Sequence, residues 1–347
     1  MACLMACLFF SCGKKKANDP LGDNGRTKRT ENLLAHLSSN ASRGFLFGQQ
    51  DATVCSEGSM GSDSVKSDVK AVCGDSPTLV GFEIGGIEKD GSANVFSTPL
   101  SAIRREIVAQ FDKAGVVTVS WQCDAPSGHD ELIERIDKVA DFIASLVTPY
   151  GVTVPVIFRP WQDNGETKQW WNKCSKEQYL ALWKMTTERF KEKGVTNALF
   201  AYSPCVNDAA SEAEYLDRYP GDETVDILGI NAYCQAAEGD TTALAAFAQR
   251  LGKNLRMLSE IGKKKGKPIA LTETGYRGIK SDNWWTHTLL PAVEKYPVSY
   301  IMLWRTSPGE ADNYYVPFPG QRSAEDFVIF YNSPKTLFLH DVNGIYI

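Results

Sequence analysis

The chain has 347 residues, 43% hydrophobic and 23% charged, a size and balance suited to one larger globular domain. Its net charge of −5 gives no basic excess for nucleic acid or an anionic membrane surface, so neither is expected as a direct partner. Aromatics reach 11% with 8 Trp, enough to furnish stacking platforms for sugar rings.

Residues 1–12 are apolar and too short to span a bilayer, and they read as an export leader. Leu8-Phe9-Phe10-Ser11-Cys12, followed by Gly13 and three lysines, resembles a relaxed bacterial lipobox. That resemblance implies cleavage before Cys12 and lipidation of its thiol, in the bacterial cell envelope at the outer membrane or cell surface. Residues 13–30 are polar and rich in Lys and Arg, as a flexible tether would be, leaving 31–347 as one domain. Beyond the leader stand Cys55, Cys73, Cys123, Cys174, Cys205 and Cys234. An even number in an exported chain permits disulfides, with Cys55–Cys73 the first candidate.

Eight short apolar, β-branched or aromatic runs follow, at 44–49, 78–83, 116–121, 154–161, 197–203, 226–233, 268–274 and 299–305. Between them the pattern is helical. In 130–147, Leu132, Ile136, Val139, Ile143 and Leu146 share one face, and 176–193 behaves similarly. Trp284 and Trp285 lie in a helix-like stretch and are expected in the core, while Lys263-Lys264-Lys265 reads as a solvated helix end. Eight strand–helix units in about 300 residues predict a single α/β domain, a closed (β/α)8 TIM barrel. No Gly-x-Gly-x-x-Gly or Walker-type loop supports a nucleotide site.

Such barrels work at the C-terminal ends of their strands. There the runs end in Gln49-Gln50-Asp51; Glu83; Trp121-Gln122-Cys123-Asp124; Arg159, Trp161, Gln162, Asp163 and Asn164; Tyr202-Ser203; Asn231 and Tyr233; Glu273; and Trp304-Arg305. Amides, aromatics and carboxylates suit a neutral polyol. None of His36, His129, His287 and His340 ends a strand, and Ser203 lacks a Gly-x-Ser-x-Gly turn. Paired carboxylates remain, Asp163 and Glu273, in the pattern that cleaves glycosidic bonds.

Several stretches in order carry a family likeness from about residue 45 to 330. They include Phe47-Gly48-Gln49-Gln50-Asp51, Val119-Ser120-Trp121-Gln122-Cys123-Asp124-Ala125-Pro126, Gly229-Ile230-Asn231-Ala232-Tyr233 and Tyr314-Tyr315-Val316-Pro317-Phe318-Pro319-Gly320. On these the chain resembles glycoside hydrolase family 26, the retaining β-mannanase family of clan A. The resemblance implies double displacement on β-1,4-mannan or a related β-glycan, with no metal or organic cofactor, by a monomer whose partner is a polysaccharide or oligosaccharide. It makes Glu273 the nucleophile and Asp163 the acid/base. Tyr233 would hold the nucleophile, Trp304 would floor the subsite of the cleaved sugar, and Arg159 and Asn164 would orient the acid and nearby hydroxyls. Gln122, Asp124, Gln162, Trp170 and Trp171 are expected to line the cleft, and Trp161 either lines it or packs.

The pattern also departs from the family. The usual His-Glu is Gln162-Asp163, the usual Trp-His is Trp121-Gln122, and Trp-Phe-Trp-Trp is Lys168-Gln169-Trp170-Trp171. An Asp carboxyl retracts by about 1 Å relative to Glu, which can cost about a hundredfold in rate. Three readings follow: the backbone advances Asp163, Glu166 takes over, or the chain is an impaired member serving as a glycan-binding surface protein.

Overall fold

The computed structural model describes residues 19–57, 67–162, 169–206 and 208–347. All eight apolar runs form strands within about two residues of their expected ends. These are β1 (Phe45–Gln50), β2 (Leu79–Glu83), β3 (Val116–Ser120), β4 (Val156–Arg159), β5 (Ala198–Tyr202), β6 (Ile227–Cys234), β7 (Ile269–Tyr276) and β8 (Val298–Leu303). They pair in parallel from β2 through β8 to β1, and the β1–β2 pairing closes the ring. A short β9 (Thr336–Leu337), which the sequence does not predict, pairs in parallel with the start of β1.

Helices α1 (Lys28–Asn40), α2 (Asp68–Cys73), α3 (Leu100–Asp112), α4 (His129–Ala144), α5 (Lys176–Glu192), α6 (Glu212–Leu216), α7 (Thr241–Lys265), α8 (Leu290–Val293) and α9 (Ala324–Tyr331) accompany the strands. Local chemistry fixes their ends. Ser175 and Gln178 form a capping box on α5, and Gly266 closes α7 in the left-handed region at φ 64°. None of the described helices is long and apolar enough to cross a membrane.

Side-chain alternation divides the barrel into two faces. Phe47, Val80, Val117, Phe158, Phe200, Leu228 and Ile301 point outward into the helix layer, where Trp284 and Trp285 are also fully buried. Leu46, Leu79, Val116, Ile157, Leu199, Ile227, Ala270, Tyr300 and Met302 point inward. The inward set fills the N-terminal half of the lumen. Leu33 and Leu37 of α1, with Val342, Ile345 and Tyr346 near the C-terminus, seal it from below.

This closed floor leaves the opposite end of the lumen for polar side chains. One irregularity matters there. Along the β6–β7 ladder Ile230 faces Leu271 but Asn231 faces Glu273, so Thr272 is an extra residue. Its hydroxyl donates to Ile230 O at 2.9 Å and Asn231 Oδ1 at 2.8 Å. Strict alternation would send residue 273 outward with Leu271; the bulge turns it into the lumen.

Two expectations are corrected. Residues 19–30 are not tether: Thr27 N donates to Thr196 O at 2.9 Å, Arg26 grips Asp226 at 2.7 and 2.8 Å, and Lys28 begins α1. Cys55 and Cys73 do not pair, because their thiols turn to different backbone acceptors. Cys55 donates to Thr306 O at 3.0 Å and Cys73 to Val69 O at 3.2 Å.

The floor gives a stability prediction. Leu37 is fully buried, so Leu37→Ala should cost about 2–5 kcal/mol, seen as a lower urea midpoint at unchanged slope.

Candidate active site

Glu273 is fully buried at the polar end of the lumen. Its Oε1 accepts from Arg159 Nη1 at 2.7 Å and its Oε2 from the Tyr233 hydroxyl at 3.0 Å. Arg159 is equally inaccessible, and its remaining N–H groups are distributed around the lumen. Nε donates to Thr118 Oγ1 at 3.2 Å, Nη1 also to Gln162 Oε1 at 2.5 Å, and Nη2 reaches Gln50 Oε1 at 3.5 Å. Burial of the Tyr233 hydroxyl, reinforced by the Glu273 charge, raises its pKa well above the usual phenol range, so Tyr233 remains a donor.

The structure therefore brings Arg159, Gln162, Tyr233 and Glu273 together from β4, β6 and β7. Trp304 follows β8 beside this group, its N–H donating to Thr274 O at 2.9 Å, and it is only partly buried. Gln122, just past β3, is half-buried and meets Gln169 at 3.4 Å. Asp163, Asn164 and Glu166 lie outside the described residues.

Two expected cleft residues, Trp171 and Asp124, sit elsewhere, and Trp161 takes the packing position of its two expected ones. Trp161 and Trp171 are 1% and 0% exposed, packed with Trp121 between barrel and α5 rather than facing a ligand. Trp161 Nε1 donates to Thr186 Oγ1 at 3.0 Å and Trp171 Nε1 to Gln162 O at 3.0 Å. Asp124 turns into solvent and pairs with Lys89 at 2.5 Å, which holds its carboxyl below the usual range. Trp170 is partly buried and packs edge-on against Trp161 and Trp171.

The tryptophans have a mechanical task. Trp161 adopts φ 51°, a left-handed conformation that is costly for a bulky residue, by about 1–3 kcal/mol. That turn ends β4 abruptly, moves Trp161 out of the inward row and delivers Gln162 to Arg159.

Glu83 and Asp51 also belong here, although the sequence offered them only as strand ends. Glu83 is buried, accepting from Ser120 Oγ at 2.6 Å and from Gly85 N and Gln122 N at 2.7 Å. It thereby fixes the start of the loop carrying Gln122. Gly85 is required there, since a Cβ would lie 1.9 Å from Gln122 O. Burial pushes the Glu83 carboxyl up to about 7, and that of Asp51 up to about 6 despite its 2.8 Å pair with Arg305. The inward strand-end position of Glu83 was the available signal for it, whereas Asp51 follows β1 in a left-handed turn beside Gln50. Among the described residues no cluster of His, Cys, Asp or Glu could hold a metal ion.

A barrel with a buried, cation-paired Glu at the polar end of its lumen and an aromatic beside it has the construction of a carbohydrate-active enzyme. The model of glycosyl hydrolase family 26 matches residues 124–283. A solved family 26 β-mannanase from Bacteroides ovatus is 40% identical, covering 93% of this chain and 98% of that one with a TM-score of 0.86. A modular endo-β-1,4-mannanase from Cellulomonas fimi is 30% identical over 93% of this chain and 78% of that one, with a TM-score of 0.79. The chain belongs to glycosyl hydrolase family 26. A mannan endo-1,4-β-mannosidase of Bifidobacterium adolescentis is 27% identical over 95% of this chain, which spans 37% of that protein's length.

Two outcomes follow from the geometry. Tyr233→Phe removes a hydrogen bond to a carboxylate, about 1.5–3 kcal/mol, so kcat should fall about ten- to a hundredfold while the fold persists. Glu83 binds its proton more tightly folded than unfolded, so its charging destabilises the fold as pH rises from about 4.5 to about 7. Glu83→Gln should make the stability loss between pH 4.5 and 8 smaller by roughly 3 kcal/mol, measured by urea denaturation at each pH.

Proposed function

We propose that the chain is a retaining endo-β-1,4-mannanase acting by double displacement, exported and held in the bacterial envelope by a lipid on Cys12. The observation supporting the catalytic part is the lumen-facing Glu273 carboxylate, bound by Arg159 on one oxygen and Tyr233 on the other. The substrate class rests on the relatives, three of which act on mannan by name. The anchor rests on the leader and the lipobox-like Leu8–Cys12 run.

In this reading Glu273 attacks the anomeric carbon and forms a glycosyl ester. Arg159 and Tyr233 hold the two carboxylate oxygens in place for attack through their hydrogen bonds. Asp163 gives its proton to the departing glycosidic oxygen, then takes one from the water that hydrolyses the ester. Trp304 offers a flat apolar face to the sugar being cleaved.

Product chromatography on mannans, xylans and mixed-linkage glucans tests the proposal, with manno-oligosaccharides expected from mannan. Glu273→Gln should yield none while keeping the far-UV circular dichroism of a folded barrel, at a melting temperature lowered by the loss of its pair with Arg159. Asp163→Ala should lose most activity on mannan yet still be glycosylated by an aryl mannoside whose leaving group needs no proton, with azide restoring turnover. No product from wild type at high loading would sink the enzyme reading.

A further inference from the structure

The N-terminal end of the barrel carries features that catalysis leaves unused. The described chain starts at Asp19, whose carboxylate accepts from Thr153 N at 3.1 Å and pairs with Arg29. Arg26 and Thr27 then hold Asp226 and Thr196. Thr153, Thr196 and Asp226 each stand just ahead of β4, β5 and β6, so residues 19–27 cross the pole opposite Glu273.

Exposed apolar side chains gather at that point. Leu21 is 62% exposed and Val147 44%, and both line one groove with Asp19 and Thr153. Tyr150, 85% exposed, tips the turn that the Val147–Thr153 bridge closes. Seven residues run from Cys12 to Asp19, including Lys14, Lys15 and Lys16. Fully extended they reach at most about 25 Å.

We propose that this pole is the membrane-facing surface: Leu21, Val147 and Tyr150 seat in the interface of the bilayer that holds the acylated Cys12, and the cleft points away from it. The short reach commits the occupant to that bilayer, because the anchor cannot swing the far pole toward it. A tyrosine with a polar tip and apolar body suits the headgroup level, and the three lysines suit anionic lipid. The proposal rests on the lipid-anchor reading. It leaves the cleft open to a polymer too bulky to enter the gap between protein and membrane.

The test uses full-length protein extracted from membranes and reconstituted into phosphatidylethanolamine–phosphatidylglycerol vesicles. The mass of the N-terminal peptide reports acylation, and hydrogen exchange compares wild type with a Leu21→Ser, Val147→Ser, Tyr150→Ser variant. In wild type, amides of 147–153 should exchange at least severalfold more slowly than in the variant, while 92–97, beside Trp304, exchange alike. Both proteins should cleave soluble oligosaccharide equally. Acylated protein with no slowing at 147–153, or with slowing at 92–97, overturns this orientation and leaves the anchor standing. Slowing that grows with protein density on the vesicle assigns the surface to a second copy and overturns the bilayer contact. An unmodified Cys12 removes the anchor reading and this proposal together.

Discussion

A guanidinium and a carboxylate meet, both fully buried, in one lumen, and much of the molecule is arranged around them. Arg159 and Glu273 are both fully buried, and losing either partner of such a pair typically costs about 3–5 kcal/mol through the charge left behind. The pair is tolerable only because its remaining hydrogen-bonding capacity is met by Thr118, Gln162 and Tyr233. Below it, the inward aliphatic residues and α1 exclude solvent, which strengthens the ion pair and leaves the other end of the lumen as its way out.

Holding Gln162 against Arg159 places a demand on β4. The strand would continue inward past Arg159, but the left-handed turn at Trp161 breaks it off. Four tryptophans share the work: Trp121, Trp170 and Trp171 surround the Trp161 ring at centroid distances of 4.9, 5.6 and 5.4 Å, and Tyr179 donates to its carbonyl at 3.3 Å. Packing and hydrogen bonds of this kind offset the backbone strain. Aromatic residues around the polar end of the lumen thus divide by task. Trp304 stays partly exposed, while Trp161 and Trp171 hold the backbone from behind.

The barrel itself was legible in the sequence because eight apolar runs of strand length alternate with helical periodicity, and both signals are local. The placement of Arg159, Tyr233 and Trp304 was legible from strand-end position and the family likeness. The inward turn of Glu273 was not readable from alternation, which would have sent it outward; only the pairing of β6 with β7 reveals the extra residue at Thr272. Trp171 misled, and Trp161 stayed open between cleft and packing, because composition says that an aromatic is present, not which side of the strand it occupies. The Cys55–Cys73 pairing failed for a similar reason, since spacing carries no direction for a thiol. Docking of residues 19–27 was hidden because a polar, basic segment resembles a tether until Asp226, two hundred residues away, supplies the partner for Arg26.

Gln162 meets the buried ion pair as an amide, a side chain that does not titrate. Its Oε1 accepts from the same Arg159 nitrogen that binds Glu273, and among the described residues its Nε2 has no partner. An imidazole there could gain a proton near neutrality and face Arg159 as a second cation, weakening the hold on Glu273. An amide cannot. It offers a permanent acceptor toward Arg159 and, among the described residues, leaves its buried Nε2 without an acceptor, a group whose desolvation an incoming acceptor would relieve. A sugar hydroxyl in the lumen mouth would meet that need at any pH at which the fold holds. Among the described carboxyls near the site, burial pushes that of Glu83 up to about 7. That carboxyl lies behind the β3 loop, where it holds the Gln122 amide at 2.7 Å and so bears on the position of Gln122 rather than on Glu273 directly.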